Sequence, residues 1–314
     1  MAGIVDTAEI ENAAELALTA FCWWRADVPR ETCEAYWRDV HGIMFARVPG
    51  LWQYRQLRLS PNRPDLWRPP IPGISFDASD EAQPHGIPHA LFLSESDLVA
   101  FGSNPIADEI IPNDARNFIG RIGALLSSSR GGRTFVDRID HPELQGVPPL
   151  PTFAVCFVAR AGASSTEAFH RYLTTHIAPL WSEHPGVMRL RVEPLPPYDR
   201  SAMSSPGVPH RWPNEETYLG WIELAVREEG VISDLAAGAA ADGLAERIGA
   251  IHTYPVREVY TIISAGRPTE VGLRGYPAVQ TIIAAGADDQ RSETLLNLLF
   301  GDAVRGLDQL RRRN

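Results

Sequence analysis

The chain has 314 residues, a length that suits two domains of about 100–150 residues each. It is 44% hydrophobic and 22% charged, which is ordinary for a globular protein, and its net charge of −10 argues against a nucleic-acid binder and against a protein drawn to anionic lipid. Three cysteines without a CxxC pair argue against a disulfide framework. The acidic N-terminus does not resemble a secretion signal. No uncharged apolar stretch approaches about 18 residues, so no membrane-spanning helix is expected. We therefore expect a soluble, cytoplasmic protein that binds neither nucleic acid nor membrane.

In chain order, the first half of the sequence predicts four strands with helices between them. Apolar, β-prone runs predict strands over residues 19–24, 52–59, 90–94 and 133–138. Pro29 suits the first turn of a helix and Pro49-Gly50 its end, so a helix is expected between the first two strands. Further helices are expected over 97–101 and 113–125.

The second half predicts the same order of elements. Its strands are expected over residues 153–158, 187–193, 217–224 and 256–263. Ser164-Ser165-Thr166-Glu167 is a capping box that begins a helix, Pro185-Gly186 ends that helix, and another helix is expected over 230–248. Each half also has a Pro-rich stretch, over 61–84 and 194–213, which predicts a loop of the kind that covers a pocket.

Landmarks of the first half recur in the second half at nearly constant spacing. Pairs 136 residues apart are Cys33 and Phe169, Tyr36 and Tyr172, and the two Pro-Gly pairs, while His41 and His176 are 135 apart and residues 84–89 align with 218–223. This indicates a duplicated βαββαβ unit. Two four-stranded sheets with helices on one face bury their other faces by packing together, so we predict an α+β barrel within one chain.

The predicted domains are residues 15–140, 150–266 and a C-terminal extension, 267–314. Leucines at helical spacing predict that the extension is helical and either caps the barrel or forms an oligomer contact, namely Leu295, Leu298, Leu299, Leu307 and Leu310. Because two units already complete a barrel, both a monomer and a homodimer are compatible with the sequence.

The motif Tyr36-Trp37-Arg38-Asp39-Val40-His41, followed by Pro49-Gly50 and Tyr54, resembles the core signature of the EthD family. Tyr172, Thr175-His176, Ala178-Pro179-Leu180 and Pro185-Gly186-Val187 resemble it a second time. That family belongs to the dimeric α+β barrel superfamily, so the resemblance, over residues 18–265, implies two tandem ferredoxin-like units. The superfamily includes dehydratases, polyketide cyclases, isomerases, cofactor-free oxygenases and haem enzymes, and some EthD proteins are accessory to ether degradation, so the fold does not determine the reaction.

His41 is the first candidate for catalysis. It lies near the end of a helix that packs on the sheet, where an imidazole can act as general acid or base, and the resemblance places this histidine at the pocket. The alternative is a core histidine that caps a carbonyl. His176 is a second candidate, although its shift by one residue rotates it by about 100° on an unbroken helix, so the two histidines need not be equivalent.

Further candidates lie on the predicted strands. Alternation sends either Tyr54 or Arg55 inward, and Tyr54 is the candidate to donate a hydrogen bond to substrate. The alternative is a tyrosine of the core. His85 and His89 stand where similar sequences carry Asp and Glu, and they are candidates for acid/base chemistry, for substrate contact or, together with His41, for a metal site. Plain loop histidines are the alternative.

Glu223 shares a strand face with Trp221 and is expected to have a raised pKa if it faces a closed pocket. Trp37 and Trp221, with His85, are expected to contact the substrate, although aromatic residues at these positions also suit a core.

The sequence favours a cofactor-independent lyase, a dehydratase or cyclase, that acts on a small hydrophobic molecule, aromatic or polyketide-like, by histidine acid/base catalysis. The predicted catalytic residues are His41, Tyr54, His89, His176 and Glu223, with no cofactor and no metal. Two alternatives stay open. One is a cofactor-free, haem or metal oxidoreductase on the same barrel. The other is a ligand-binding accessory protein of a catabolic pathway.

Overall fold

The computed structural model describes residues 7–128, 132–139, 144–159, 165–199, 205–212, 217–241 and 243–301. Its strands are β1 Leu16–Trp24, β2 Gln53–Leu59, β3 Gly86–Phe92, β4 Ile119–Ser128, β5 Arg133–Asp137, β6 Gln145–Gly146, β7 Thr152–Ala159, β8 Val187–Pro194, β9 Tyr218–Val226, β10 Ile248–Ser264 and β11 Arg267–Pro268.

The helices lie between and after these strands. They are α1 Thr7–Asn12; α2 Arg30–Tyr36, continued by Trp37–His41 and Gly42–Phe45; α3 Glu95–Gly102; α4 Ile106–Ile110, continued by Ile111–Ala115; α5 Thr166–Tyr172, continued by Leu173–Ile177 and Ala178–Glu183; α6 Val231–Ala241; α7 Glu270–Arg274; α8 Tyr276–Ala284; and α9 Glu293–Phe300. Within these described segments, no helix combines the length and the hydropathy needed to span a membrane.

The strand order confirms the predicted duplication. The sheet runs β4-β1-β3-β2-β10-β7-β9-β8-β5, and the neighbours along this path are antiparallel. Strands β1 to β4 occur in the order β4-β1-β3-β2, and β7 to β10 repeat it as β10-β7-β9-β8. Each set is therefore a ferredoxin-like βαββαβ unit, and β2 and β10 join the two units into one curled sheet.

Two predicted boundaries in the first unit were wrong. The fourth strand is β4, not residues 133–138, because the helix expected over 113–125 ends at Ala115 and the chain becomes extended from Ile119. Gly120 and Gly123 lower the helical preference of this stretch. Strand β5, over the residues predicted for the fourth strand, instead pairs with β8 of the second unit.

The last helix and strand of the second unit also differ from the prediction. Helix α6 stops at Ala241, and Gly243 adopts a left-handed conformation (φ 73°) of the kind that ends helices. Strand β10 then begins at Ile248, eight residues before the predicted start at Val256. Its 17 residues are long enough to pair with β7 and then with β2, which physically connects the two units.

The two faces of the sheet have different surroundings because side chains alternate along each strand. On β1, Cys22 and Trp24 pack towards the helices of the first unit, in a cluster with Trp37. Phe21 and Trp23, at the alternate positions, pack in a cluster with Tyr218 of the second unit. The faces turned away from the helices therefore meet in an interior shared by both units.

The C-terminal extension is helical over α7 to α9, as predicted. Helix α9 has no buried residue, and Leu298 and Leu299 are 79% and 55% exposed. Leu307 and Leu310 lie outside the described residues.

Candidate active site

Three side chains of the first unit form hydrogen bonds with Asp114, which makes a group of four. His41 Nδ1 lies 2.8 Å from Asp114 Oδ2, and Tyr36 Oη donates to Asp114 Oδ1 at 2.6 Å. Asn117 Nδ2 donates to the same Oδ1 at 3.0 Å. With a carboxylate at Nδ1, the neutral imidazole carries its proton on that nitrogen, so Nε2 becomes the basic atom. No hydrogen bond from the described residues reaches Nε2.

Two π-helical turns position this group. His41 ends the π turn Trp37–His41 within α2, and α4 begins with the π turn Ile106–Ile110 before its last turn presents Asp114. Single π turns within helices are frequent at functional sites because they shift the register of the side chains. Here the contact joins residues 73 apart in sequence.

The repeat shows that His41 is specific to the first unit. Helix α5 has a matching π turn, Leu173–Ile177, 136 residues after Trp37–His41. Ile177 therefore stands where His41 stands, and it is fully buried. His176 corresponds instead to Val40 and is exposed, with its ring against Tyr172 at 5.2 Å. The expected non-equivalence of the two histidines is thus what the structure shows.

The surroundings of Asp114 favour its charged form. Burial raises the pKa of this carboxyl group, but the hydrogen bonds from His41, Tyr36 and Asn117 outweigh burial and hold the pKa below its usual value. The pKa of Tyr36 is raised by burial and by its hydrogen bond to Asp114, so its hydroxyl keeps its proton. Asp114 is therefore an anion placed to orient His41 and to stabilise its imidazolium form.

Aromatic rings cover the other sides of His41. The ring of Phe118 lies 4.9 Å from the imidazole and the ring of Phe45 lies 5.3 Å from it, both edge-on. These two contacts make the surroundings of the imidazole largely apolar.

Two depressions adjoin the group. The first, of about 370 Å³, is lined by Glu109, Ile110, Asn113, Asp114, Arg116 and Asn117. The second, of about 480 Å³, is lined by Arg25, Arg116, Asn117, Ile119, Gly120 and Gly207. Arg25 pairs with Asp27, whereas Arg116 forms no ion pair within the described ranges, so Arg116 is the cation that remains for a ligand.

Tyr54 and Trp37 lie on the same side of the sheet as His41, but both are buried. Tyr54 stacks on Phe45 at 4.2 Å, and its hydroxyl accepts a long hydrogen bond of 3.4 Å from Gln56. Burial raises the pKa of Tyr54 well above its usual value. Trp37 is 1% exposed. Phe45 separates Tyr54 from His41, so the structure does not bring the two predicted catalytic groups into contact.

His85 and His89 lie in different environments and contact different residues. His85 precedes β3, and its Nδ1 accepts a hydrogen bond from the backbone N–H of Trp24 at 2.8 Å. Burial lowers the pKa of His85 to about 4, so it is neutral at neutral pH. His89 lies within β3, is fully buried and faces Glu193 of the second unit at 3.4 Å. Across the described ranges no three His, Cys, Asp or Glu side chains are placed to hold a metal ion.

Glu223 belongs to a buried ionic network between the two units. Its carboxylate accepts two hydrogen bonds from Arg55, at 2.7 and 2.8 Å, and lies 3.3 Å from Arg189. Arg189 also donates to Glu11 at 2.6 and 2.8 Å. Burial raises the pKa of Glu223, but Arg189 and Arg55 outweigh it and lower the pKa, which is the opposite of the raised value expected. Glu223 does share the face of Trp221, as predicted.

The sequence predictions missed Asp114, Asn117 and the role of Tyr36. In the sequence, Tyr36 marks the repeat and begins the EthD-like motif but has no assigned role, and Asp114 lies in a stretch whose predicted helix extends too far. One local signal was present: Asp114 and Asn117 are three residues apart, which puts them on one face of a helical turn.

Comparison with known proteins gives structural matches only. No protein-family model matches the sequence, and no curated protein matches it. Solved structures that resemble the chain include a proposed monooxygenase from Fusobacterium nucleatum, with 7% identity and a TM-score of 0.44 over 82% of this chain and 98% of that one. An anthrone oxidase-like protein has 11% identity and a TM-score of 0.44, over 80% and 94%.

A dye-decolorizing peroxidase from Bacteroides thetaiotaomicron has 8% identity and a TM-score of 0.38, over 78% of this chain and 93% of that one. At these levels of similarity the matches carry no argument about function, and the tandem ferredoxin-like fold rests on the strand order described above.

Proposed function

We propose that this chain is an EthD-like enzyme that catalyses proton transfer on a small, largely hydrophobic molecule, in a dehydration, another elimination or a cyclisation. The observation that carries the proposal is the contact of His41 with Asp114. A half-buried carboxylate that fixes one ring nitrogen leaves the other as a base, which is an arrangement that suits general acid/base catalysis.

In a dehydration, each residue of the group has a definite task. His41 Nε2 takes the proton from a carbon next to a carbonyl, and Asp114 stabilises the imidazolium that forms. The imidazolium then returns the proton to the leaving hydroxyl group, so that a carbon–carbon double bond and one water molecule are produced and His41 ends neutral. Tyr36 and Asn117 hold Asp114 in place and do not exchange protons with the substrate.

The surroundings of the group suggest what the substrate carries. Phe45 and Phe118 make the surroundings of the imidazole apolar, which suits a largely hydrophobic substrate such as an aromatic or polyketide-like ring. Arg116, at the border of both depressions, suits a carbonyl or carboxylate on the same molecule.

The test is deuterium incorporation into a panel of small aromatic β-hydroxy ketones and β-diketones in D₂O, followed by NMR. For any compound that the wild type exchanges, His41→Asn should lower the rate by about 10²–10⁴-fold, which is the usual contribution of one acid/base group. The matched control is His184→Asn. His184 also faces an aspartate, Asp234 at 3.6 Å, but on the surface of the second unit, so its loss should leave the rate unchanged. Equal rates for His41→Asn and the wild type would refute the proposal.

A further inference from the structure

The interior between the two units contains three buried polar side chains that lie together. Thr19 on β1 and His89 on β3 are directly opposite each other in the antiparallel ladder. Trp221 on β9 approaches from the second unit, with its ring edge-on to His89 at 5.6 Å. All three side chains are at most 1% exposed. This cluster is on the opposite face of the sheet from His41.

One polar atom of each residue has no hydrogen-bond partner within the described ranges. These atoms are Thr19 Oγ1, His89 Nδ1 and Trp221 Nε1. More than about 90% of buried polar groups in proteins are partnered, because an unpartnered one forfeits the hydration it had in water. Three such atoms on adjoining residues therefore mark a candidate site for a hydrogen-bonding occupant.

The chemistry of the three atoms specifies that occupant. His89 Nε2 faces the carboxylate of Glu193, so the proton of the neutral ring lies on Nε2 and Nδ1 is an acceptor. Burial lowers the pKa of His89 and outweighs the hydrogen bond to Glu193, so the ring is neutral at neutral pH. Trp221 Nε1 can only donate, and the Thr19 hydroxyl can do either. A fully deprotonated anion cannot donate to His89, and an ammonium or metal cation cannot accept from Trp221.

A pocket lies at the seam between the two units, near the cluster. Strands β4 and β8 are not paired with each other in the described ladders, and a pocket of about 260 Å³ lies there, lined by Leu126, Ser127, Ser128, His170, Arg171, Thr174, Pro194 and Pro196. Ser127 Oγ donates to Glu193 Oε1 at 2.7 Å, and Glu193 in turn faces His89. The Ser127–Glu193 contact thus stands between the pocket and the cluster.

We propose that Thr19, His89 and Trp221 form an internal site for one neutral hydroxyl group, which accepts from Trp221 and donates to His89. The hydroxyl belongs either to a single ordered water or to a small phenol that enters at the Ser127 seam. The site is independent of the proposed function, and its test does not use activity.

The first experiment is a high-resolution crystal structure of the full chain, alone and soaked with phenol. The proposal predicts one oxygen atom within hydrogen-bond distance of Thr19 Oγ1, His89 Nδ1 and Trp221 Nε1. An isolated oxygen that persists in phenol identifies water as the occupant, and an oxygen that becomes part of a phenol ring identifies the small ligand. No oxygen at these atoms in either crystal would overturn the proposal.

The second experiment is calorimetric titration of phenol into variants, and it tests the phenol alternative. Trp221→Phe keeps the ring but removes the donor, so the affinity for phenol should fall at least tenfold if phenol is the occupant. Trp181→Phe is the matched control, since Trp181 Nε1 is also buried and unpartnered in the described chain but lies on the helix side of the second unit. Thr19→Val provides a second variant of similar shape. Phenol affinities that fall equally in Trp221→Phe and Trp181→Phe would contradict specific binding at this site.

Discussion

Glu223→Gln is the substitution whose cost follows most directly from the buried network. Glu223 is 1% exposed, and its two oxygens accept hydrogen bonds from Arg55 at 2.7 and 2.8 Å. Removing one partner of a buried ion pair costs about 3–5 kcal/mol, because the remaining charge is left desolvated. Since the glutamine amide keeps one acceptor oxygen for Arg55, we expect a cost at the lower end of this range, a loss of about 3 kcal/mol in the free energy of unfolding.

The assay is urea unfolding followed by circular dichroism, with Glu229→Gln as the control. Glu229 also contacts an arginine, Arg63 at 3.3 Å, but its side chain is 49% exposed. Solvent screening limits such a surface pair to about 0–1 kcal/mol. A Glu223→Gln variant within about 1 kcal/mol of the wild type, like the control, would refute the view that this network holds the two units together.

Three further predictions concern other parts of the chain. Arg189, Arg191 and Arg55 lower the pKa of Glu11 from 4.5 to about 2 despite burial. The stabilising contribution of Glu11 is therefore complete above pH 4.5 and is lost as the pH falls towards 2. The melting temperature should drop over this range, and it should drop less steeply in Glu11→Gln. Asp114→Asn should lower kcat on any substrate found by at least tenfold with an unchanged fold by circular dichroism, because His41 loses its anionic partner. In Gly123→Ala, the new Cβ would overlap the ring of Trp212, so we expect the free energy of unfolding in urea to fall by about 1–3 kcal/mol.

Each of these predictions has a contradicting outcome. Parallel pH profiles for the wild type and Glu11→Gln would remove Glu11 from the account of acid stability. An unchanged kcat for Asp114→Asn would mean that His41 does not depend on its carboxylate. Wild-type stability for Gly123→Ala would show that Trp212 is not tightly packed on β4.

The sequence was sufficient for the fold because the duplication repeats its turns and helix ends at fixed spacing. It was less informative where local preference is weak. Residues 119–128 contain both glycines and helix-compatible residues, so only the pairing of β4 with β1 decides that they form a strand.

The candidate site was predicted in part. His41 could be identified from its motif, but its partner Asp114 comes from a distant helix, and no local pattern links the two. His89 and Glu223 were grouped with His41 because strand alternation alone does not say which face meets the helices. Glu223 was expected to be a base, yet Arg55 and Arg189 come from strands of different units, and their approach is a tertiary feature that no spacing in the sequence reveals.

The most direct test of the central claim is the position of the proton on the ring of His41. Nitrogen-15 NMR of the histidine rings, assigned with His41→Asn and recorded where the ring is neutral, distinguishes the two tautomers. We expect the proton on Nδ1, hydrogen-bonded to Asp114, with Nε2 unprotonated and able to act as a base. A neutral His41 with its proton on Nε2 would contradict the proposed role of His41.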